Sequence, residues 1–148
     1  MERSCRQQTF IEAQVEAVWA LVGDPNRHPE WWPSMVEMDC AALEEGCRYR
    51  GVITGPLGRE TEHELQLQTL DDCKEVLIHC DGTGVSTGFT LTEAQGGTFV
   101  EGRFAIEPQG LGATIFGAVA GRATLRAWLK RSLSALKQAA EEAPRVGA

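Results

Sequence analysis

The chain has 148 residues, 43% of them hydrophobic and 24% charged, which fits one globular domain with a full core and excludes disordered, collagenous and disulfide-scaffold classes. Fourteen basic against twenty-one acidic residues leave a net charge of -7, the wrong sign for affinity built on neutralising phosphates, so no nucleic-acid partner is expected. No apolar run reaches the roughly 18 residues of a membrane span, and Met-Glu-Arg-Ser-Cys-Arg leads into glutamines, so the expectation is a cytoplasmic protein without stable membrane insertion.

Ser4 to Ile11 reads as a first strand, with Thr9, Phe10 and Ile11 near its end. The period then changes: Val15, Val18, Trp19 and Val22 fall at i, i+3, i+4 and i+7, an amphipathic helix over 14–22 that Gly23 ends. Asp24 ahead of Pro25 predicts a capped second short helix from Pro25 to about Glu30. Trp31 and Trp32 follow in an irregular segment, and Val36, Met38 and Cys40 alternate with Glu37 and Asp39 as a second strand.

Glu45-Gly46 turns the chain into a strand over 47–53, with Arg48 and Arg50 on its wet face. The clearest two-residue period runs from Glu60 to Leu70, where His63, Leu65 and Leu67 share one face. Turns at Asp71-Asp72, Asp81 to Gly84 and Gln95 to Gly97 separate three more strands, Lys74 to Cys80, Ser86 to Ala94 and Thr98 to Glu107. From about Ala113 to Glu142 the residues favour helix, with Leu125, Leu129, Leu133 and Leu136 on one stripe and Arg122, Arg126 and Lys130 on another.

Cys5, Cys40, Cys47, Cys73 and Cys80 are odd in number and form no Cys-x-x-Cys. Neither a disulfide framework nor a zinc knuckle is suggested, and free, partly buried thiols are expected. No metal site and no cofactor are expected.

This order of elements resembles the helix-grip START/Bet v 1-like (SRPBCC) superfamily, in its polyketide cyclase/dehydrase-like branch. The resemblance covers Phe10 to Glu142 and is carried by Val18-Trp19-Ala20-Leu21 with Asp24-Pro25, Trp31-Trp32-Pro33, Leu43-Glu44-Glu45-Gly46, and Gly110-Leu-Gly through Leu136-Lys137. It implies one α+β domain over 1–148: a curved seven-stranded antiparallel sheet around a long C-terminal helix, two short helices after strand one, and a ligand cavity between sheet and helix. It implies no particular reaction, because the superfamily includes carriers, receptors and cyclases.

Strand parity turns Tyr49, His63, Leu65, Leu67, Ile78, Phe89, Leu91, Val100, Phe104 and Ile106 toward the helix, and Phe116, Val119 and Leu125 face back. All are candidate cavity residues or ordinary core. By the resemblance Trp31 and Trp32 stand where a cavity lid lies, one ring expected to pack down while its neighbour points elsewhere. His63 and Tyr49 are the catalytic candidates, as a base near neutrality and as a hydroxyl donor or weak acid. Their plainer alternatives are a sheet-end histidine and a packed ring. Glu101, Arg103 and His79 belong on the outer face and His28 at the surface. The basic residues Arg122, Arg126, Lys130 and Lys137 are a solvated helix face or a docking stripe.

No nucleophile–base pair, paired carboxylates or phosphate loop appears at recognisable spacing. The expected partner is a hydrophobic small molecule and the expected state a monomer or weak homodimer. Carrier or sensor, cyclase or dehydratase, and interaction module all stay open.

Overall fold

The computed structural model describes residues 3–54, 58–81, 84–106 and 121–142, without the side chains of residues 3 and 121–125. Strand β1 (Arg3–Ile11) leads into α1 (Val15–Val22), a 3-10 turn (Pro25–Arg27) and α2 (His28–Trp31). Then come β2 (Met35–Asp39), β3 (Arg48–Thr54), β4 (Glu60–Asp71), β5 (Glu75–Cys80), β6 (Val85–Ala94), β7 (Gly97–Ile106) and α3 (Gly121–Glu142). The expected strands and short helices are all present. The part of the expected terminal helix before Gly121 lies outside the described residues.

The seven strands form one antiparallel sheet in the order β1-β7-β6-β5-β4-β3-β2, a meander whose last strand returns to pair with the first. Neighbours joined by short turns need little loop entropy, and the side-chain period of two then decides which face is buried. Strand β7 shows this: Thr98, Val100, Gly102, Phe104 and Ile106 are buried and alternate with partly exposed or exposed residues.

Paired residues share a face, so side chains line up in rows across the inner side. Tyr49, Leu65, Cys80, Val85 and Ile106 make one row. Leu67, Ile78, Thr87 and Phe104 make the next.

Helix α3 lies on this inner face, over β1 and β7. Leu129, Leu133, Leu136 and Ala140 are its buried stripe, as the leucine spacing predicts. Gly102 makes the approach possible, since a Cβ there would stand 2.9 Å from a methyl of Leu129 and 3.3 Å from one of Leu133. Two polar ties fix the end of the helix. Lys137 Nζ donates to the Phe10 carbonyl at 2.7 Å, and the Glu12 N–H donates to Glu141 at 2.8 Å.

Lys137 therefore departs from the expected basic stripe: it is half-buried and anchors the helix to β1, whereas Arg126 and Lys130 are exposed. Among the described residues no helix is long and apolar enough to cross a membrane.

Candidate functional site

The inner face has an aromatic end built by the segment after α1. Asp24 caps the 3-10 turn by accepting from the Asn26 N–H at 3.0 Å, as its place before Pro25 predicts. The chain then doubles back under α1. His28 becomes fully buried, a correction to its expected surface position. Its Nε2 lies 2.8 Å from the Val22 carbonyl, and since a carbonyl only accepts, Nε2 carries the proton. Burial pushes its pKa down to about 4 against the opposing pull of that bond, so the ring is neutral. Arg27 points the other way, to Glu30 at 3.0 Å.

Trp31 and Trp32 are both buried and stacked, with centroids 5.1 Å apart and planes 13° from parallel. This corrects the expectation that only one packs inward. Trp31 ends α2 while Trp32 is already extended, with φ -95° and ψ 106°. That switch brings two adjacent rings to one side, which neither a continuous helix nor a strand does. Trp31 Nε1 donates to the Leu21 carbonyl and Trp32 Nε1 to Ser132 Oγ, each at 2.9 Å. Phe89 meets both rings edge-on, and Trp128 lies between Trp32 and Phe104.

The other end, formed by β2 to β5, is apolar and thiol-bearing. Tyr49, Leu65, Leu67 and Ile78 are buried, as are Phe89, Leu91, Val100, Phe104 and Ile106 further along the sheet, all on the face that parity assigned. Tyr49 is 4% exposed, and its hydroxyl has no hydrogen-bond partner among the described residues. Burial pushes the phenol pKa well above its ordinary value, reinforced by the nearby thiols of Cys40, Cys80 and Cys47, so the group stays protonated.

His63 stands one row away, opposite Gly51, and is half-buried. Burial lowers its pKa, and one ring nitrogen lies 2.6 Å from Thr61 Oγ1. Tyr49 and His63 thus share a face but not a row. Phe116 and Val119 lie outside the described residues, as does the side chain of Leu125.

On the outer face Arg103 pairs with Glu75 at 3.0 Å, and His79 lies 2.9 Å from Ser86 Oγ. That face also holds a recess of about 340 Å³ bordered by Ser4, Arg6, Leu77, Ser86, Gly88 and Arg103. Of the candidate cavity residues only Phe104 borders it, and the Phe104 ring packs inward on Trp128. Among the described residues no group of three or more His, Cys, Asp or Glu side chains is placed to hold a metal ion.

Sequence reasoning did not single out Asn26. Its side chain accepts from the Cys40 N–H at 2.8 Å and donates to the Cys40 carbonyl at 2.9 Å, pinning the end of β2. An Asn beside a capping Asp and a Pro was the only available signal.

Solved structures of the same architecture are numerous. The di-domain ARO/CYC StfQ from the steffimycin biosynthetic pathway matches with a TM-score of 0.72 at 15% identity, over 96% of this chain and 51% of that one. An AHSA1-like protein from Aeromonas hydrophila matches at 0.66 and 18% identity, over 92% and 90%. Ara h 8.0201 matches at 0.65 and 12% identity, over 95% and 96%. At such identities the likeness is one of fold. No curated protein matches the chain. The model of one family, polyketide cyclase / dehydrase and lipid transport, matches residues 3–141. With that span and this helix-gripping sheet, the chain belongs to the polyketide cyclase/dehydrase and lipid transport family of the START/Bet v 1-like superfamily.

Proposed function

We propose that the protein binds a hydrophobic small molecule, a lipid, polyketide or similar compound, against the inner face of the sheet, as a carrier or sensor. The Tyr49 hydroxyl carries the proposal. A buried hydroxyl without a partner costs roughly 1–3 kcal/mol, a cost that a guest oxygen removes by accepting its proton. Kept protonated by burial, the phenol is a donor for a ligand carbonyl or hydroxyl. The apolar rows supply the rest of the wall: Leu65, Leu67 and Ile78 beside it, and Phe89, Leu91, Val100 and Phe104 beyond.

Trp31 and Trp32, stacked and hydrogen-bonded inward, close the far end as fixed wall, not as a moving lid. The family's pairing of polyketide chemistry with lipid transport supports a ligand of this class. In this proposal the protein works in the cytoplasm as a monomer or weak homodimer and needs no cofactor.

An anthraquinone, rigid, apolar and carbonyl-bearing, is a suitable probe. Native mass spectrometry should show a 1:1 complex with the wild type and roughly tenfold weaker binding by Tyr49→Phe, about 1.4 kcal/mol. Equal binding by the two proteins would remove Tyr49 from the site. A folded wild type that takes up no apolar probe would end the binding proposal.

A second reading, a cyclase or dehydratase acting in the same place, is favoured by one observation. His63 is neutral because burial lowers its pKa, so it can accept a proton on the face where Tyr49 can donate one. Unchanged turnover of every accepted substrate by His63→Ala and Tyr49→Phe would dispose of it.

A further inference from the structure

Cys40 and Cys47 bracket the connection between β2 and β3, and their sulfurs lie 3.9 Å apart. Neither end of the pair is loose. Cys40 is buried, its N–H and carbonyl both held by the Asn26 side chain. Cys47 donates its N–H to the Glu44 carbonyl at 3.0 Å, and its own carbonyl accepts from the Leu67 N–H at 2.9 Å. The two thiols thus face each other from anchored backbone on both sides. Sulfurs in a disulfide stand about 2 Å apart, so about 2 Å of approach separates contact from bond, within reach of side-chain rotation.

We propose that Cys40 and Cys47 are a reversible redox pair, oxidised by a hydroperoxide to a disulfide that locks the connection 41–46 beside Tyr49. Cys47 is half-buried and reacts first, while Cys40 is the buried partner that resolves the intermediate. In the first step the Cys47 sulfur attacks the terminal peroxide oxygen. An S–O bond forms, the O–O bond breaks, and the alkoxide leaves with the proton that Cys47 gave up, as an alcohol. In the second step the Cys40 sulfur attacks the sulfur of the Cys47 sulfenic acid, and the S–O bond breaks. The departing hydroxide takes the Cys40 proton and leaves as water. Two thiols lose two electrons, and the peroxide gains them.

Burial pushes the Cys40 thiol up to about 11, which agrees with the slower, resolving role that its position already assigns. The proposal does not depend on ligand binding, because the bond is read as mass.

The test uses the full chain treated with a small excess of hydrogen peroxide, then alkylated and digested. Trypsin leaves both cysteines in the one peptide 28–48, whereas cleavage after Glu44 and Glu45 separates them. The expected result is a tryptic peptide lighter by about 2 Da and closed to alkylation. Its two halves should stay joined after cleavage at the glutamates and come apart with dithiothreitol. Cys40→Ser should stop at a Cys47 sulfenic acid that dimedone traps. The proposal is overturned by a peptide that stays fully alkylatable, by sulfinic acid accumulating at Cys47 in the wild type, or by a link from either residue to Cys5, Cys73 or Cys80.

Discussion

Around Trp32 the buried polar atoms have partners, whereas the Tyr49 phenol hydroxyl has none among the described residues. At the first end the three indole nitrogens of Trp31, Trp32 and Trp128 donate to the Leu21 carbonyl, Ser132 Oγ and Ser34 Oγ, and His28 donates to the Val22 carbonyl. Those bonds tie α1, α2, the segment before β2 and α3 into one block. At the second end Tyr49 begins a row that runs through Leu65, Cys80 and Val85 to Ile106, and none of these side chains offers its oxygen a partner. Among the described residues the same sheet therefore carries one end whose polar groups are paired and one whose phenol hydroxyl is not. In a marginally stable domain an unpaired buried hydroxyl is the kind of cost that the proposed ligand would relieve.

The contrast is broken most severely by Trp32→Ala. The indole is 1% exposed and bridges to Ser132 on α3, so truncation removes packing and orphans a partner. Urea unfolding should show a loss of about 3–5 kcal/mol. A loss below about 1 kcal/mol would mean that the aromatic end does not hold the helix to the sheet.

A smaller effect follows from His28, whose folded pKa lies near 4. Above about pH 6.5 the ring is neutral folded and unfolded, and its stabilising contact is fully present. As pH falls from there toward 4, the unfolded chain takes up a proton that the fold refuses. Stability then drops by up to about 1.4 kcal/mol per pH unit, on the order of 3 kcal/mol in all. His28→Asn should flatten this part of the stability curve between pH 6.5 and 4. Parallel curves for the two proteins would show that His28 protonates in the fold without cost.

Much of the architecture was legible because burial on a sheet repeats every two residues: Leu65 and Leu67, or Val100 and Phe104, declare their face by spacing alone. The leucines of α3 do the same at helical period. What stayed hidden depends on where the chain bends. His28 looks exposed between Arg27 and Pro29 until the turn at Pro25 folds it under the end of α1. Trp31 and Trp32 share a side only because the backbone leaves helix between them. Lys137 belongs by sequence to a basic stripe, yet its reach to the Phe10 carbonyl depends on how closely Gly102 lets the helix sit. Tyr49 is buried, as its spacing predicts, but whether its hydroxyl has a partner among the described residues depends on neighbours from several strands, which one strand's pattern does not contain.

The finest test removes one hydroxyl from each end. Ser132 Oγ accepts from Trp32 and donates to the Trp128 carbonyl at 3.0 Å, so Ser132→Ala discards two bonds and leaves an indole N–H unpaired in the interior. It should cost about 1–2 kcal/mol. Tyr49→Phe removes an oxygen of similar burial that has no partner among the described residues, and it should be neutral or stabilising by up to about 1 kcal/mol in ligand-free protein. The two deletions are chemically alike, so opposite signs in the same urea titration can come only from their surroundings. If Tyr49→Phe destabilised the free protein as Ser132→Ala does, its hydroxyl would have a partner in the fold and no cost left for a ligand to relieve.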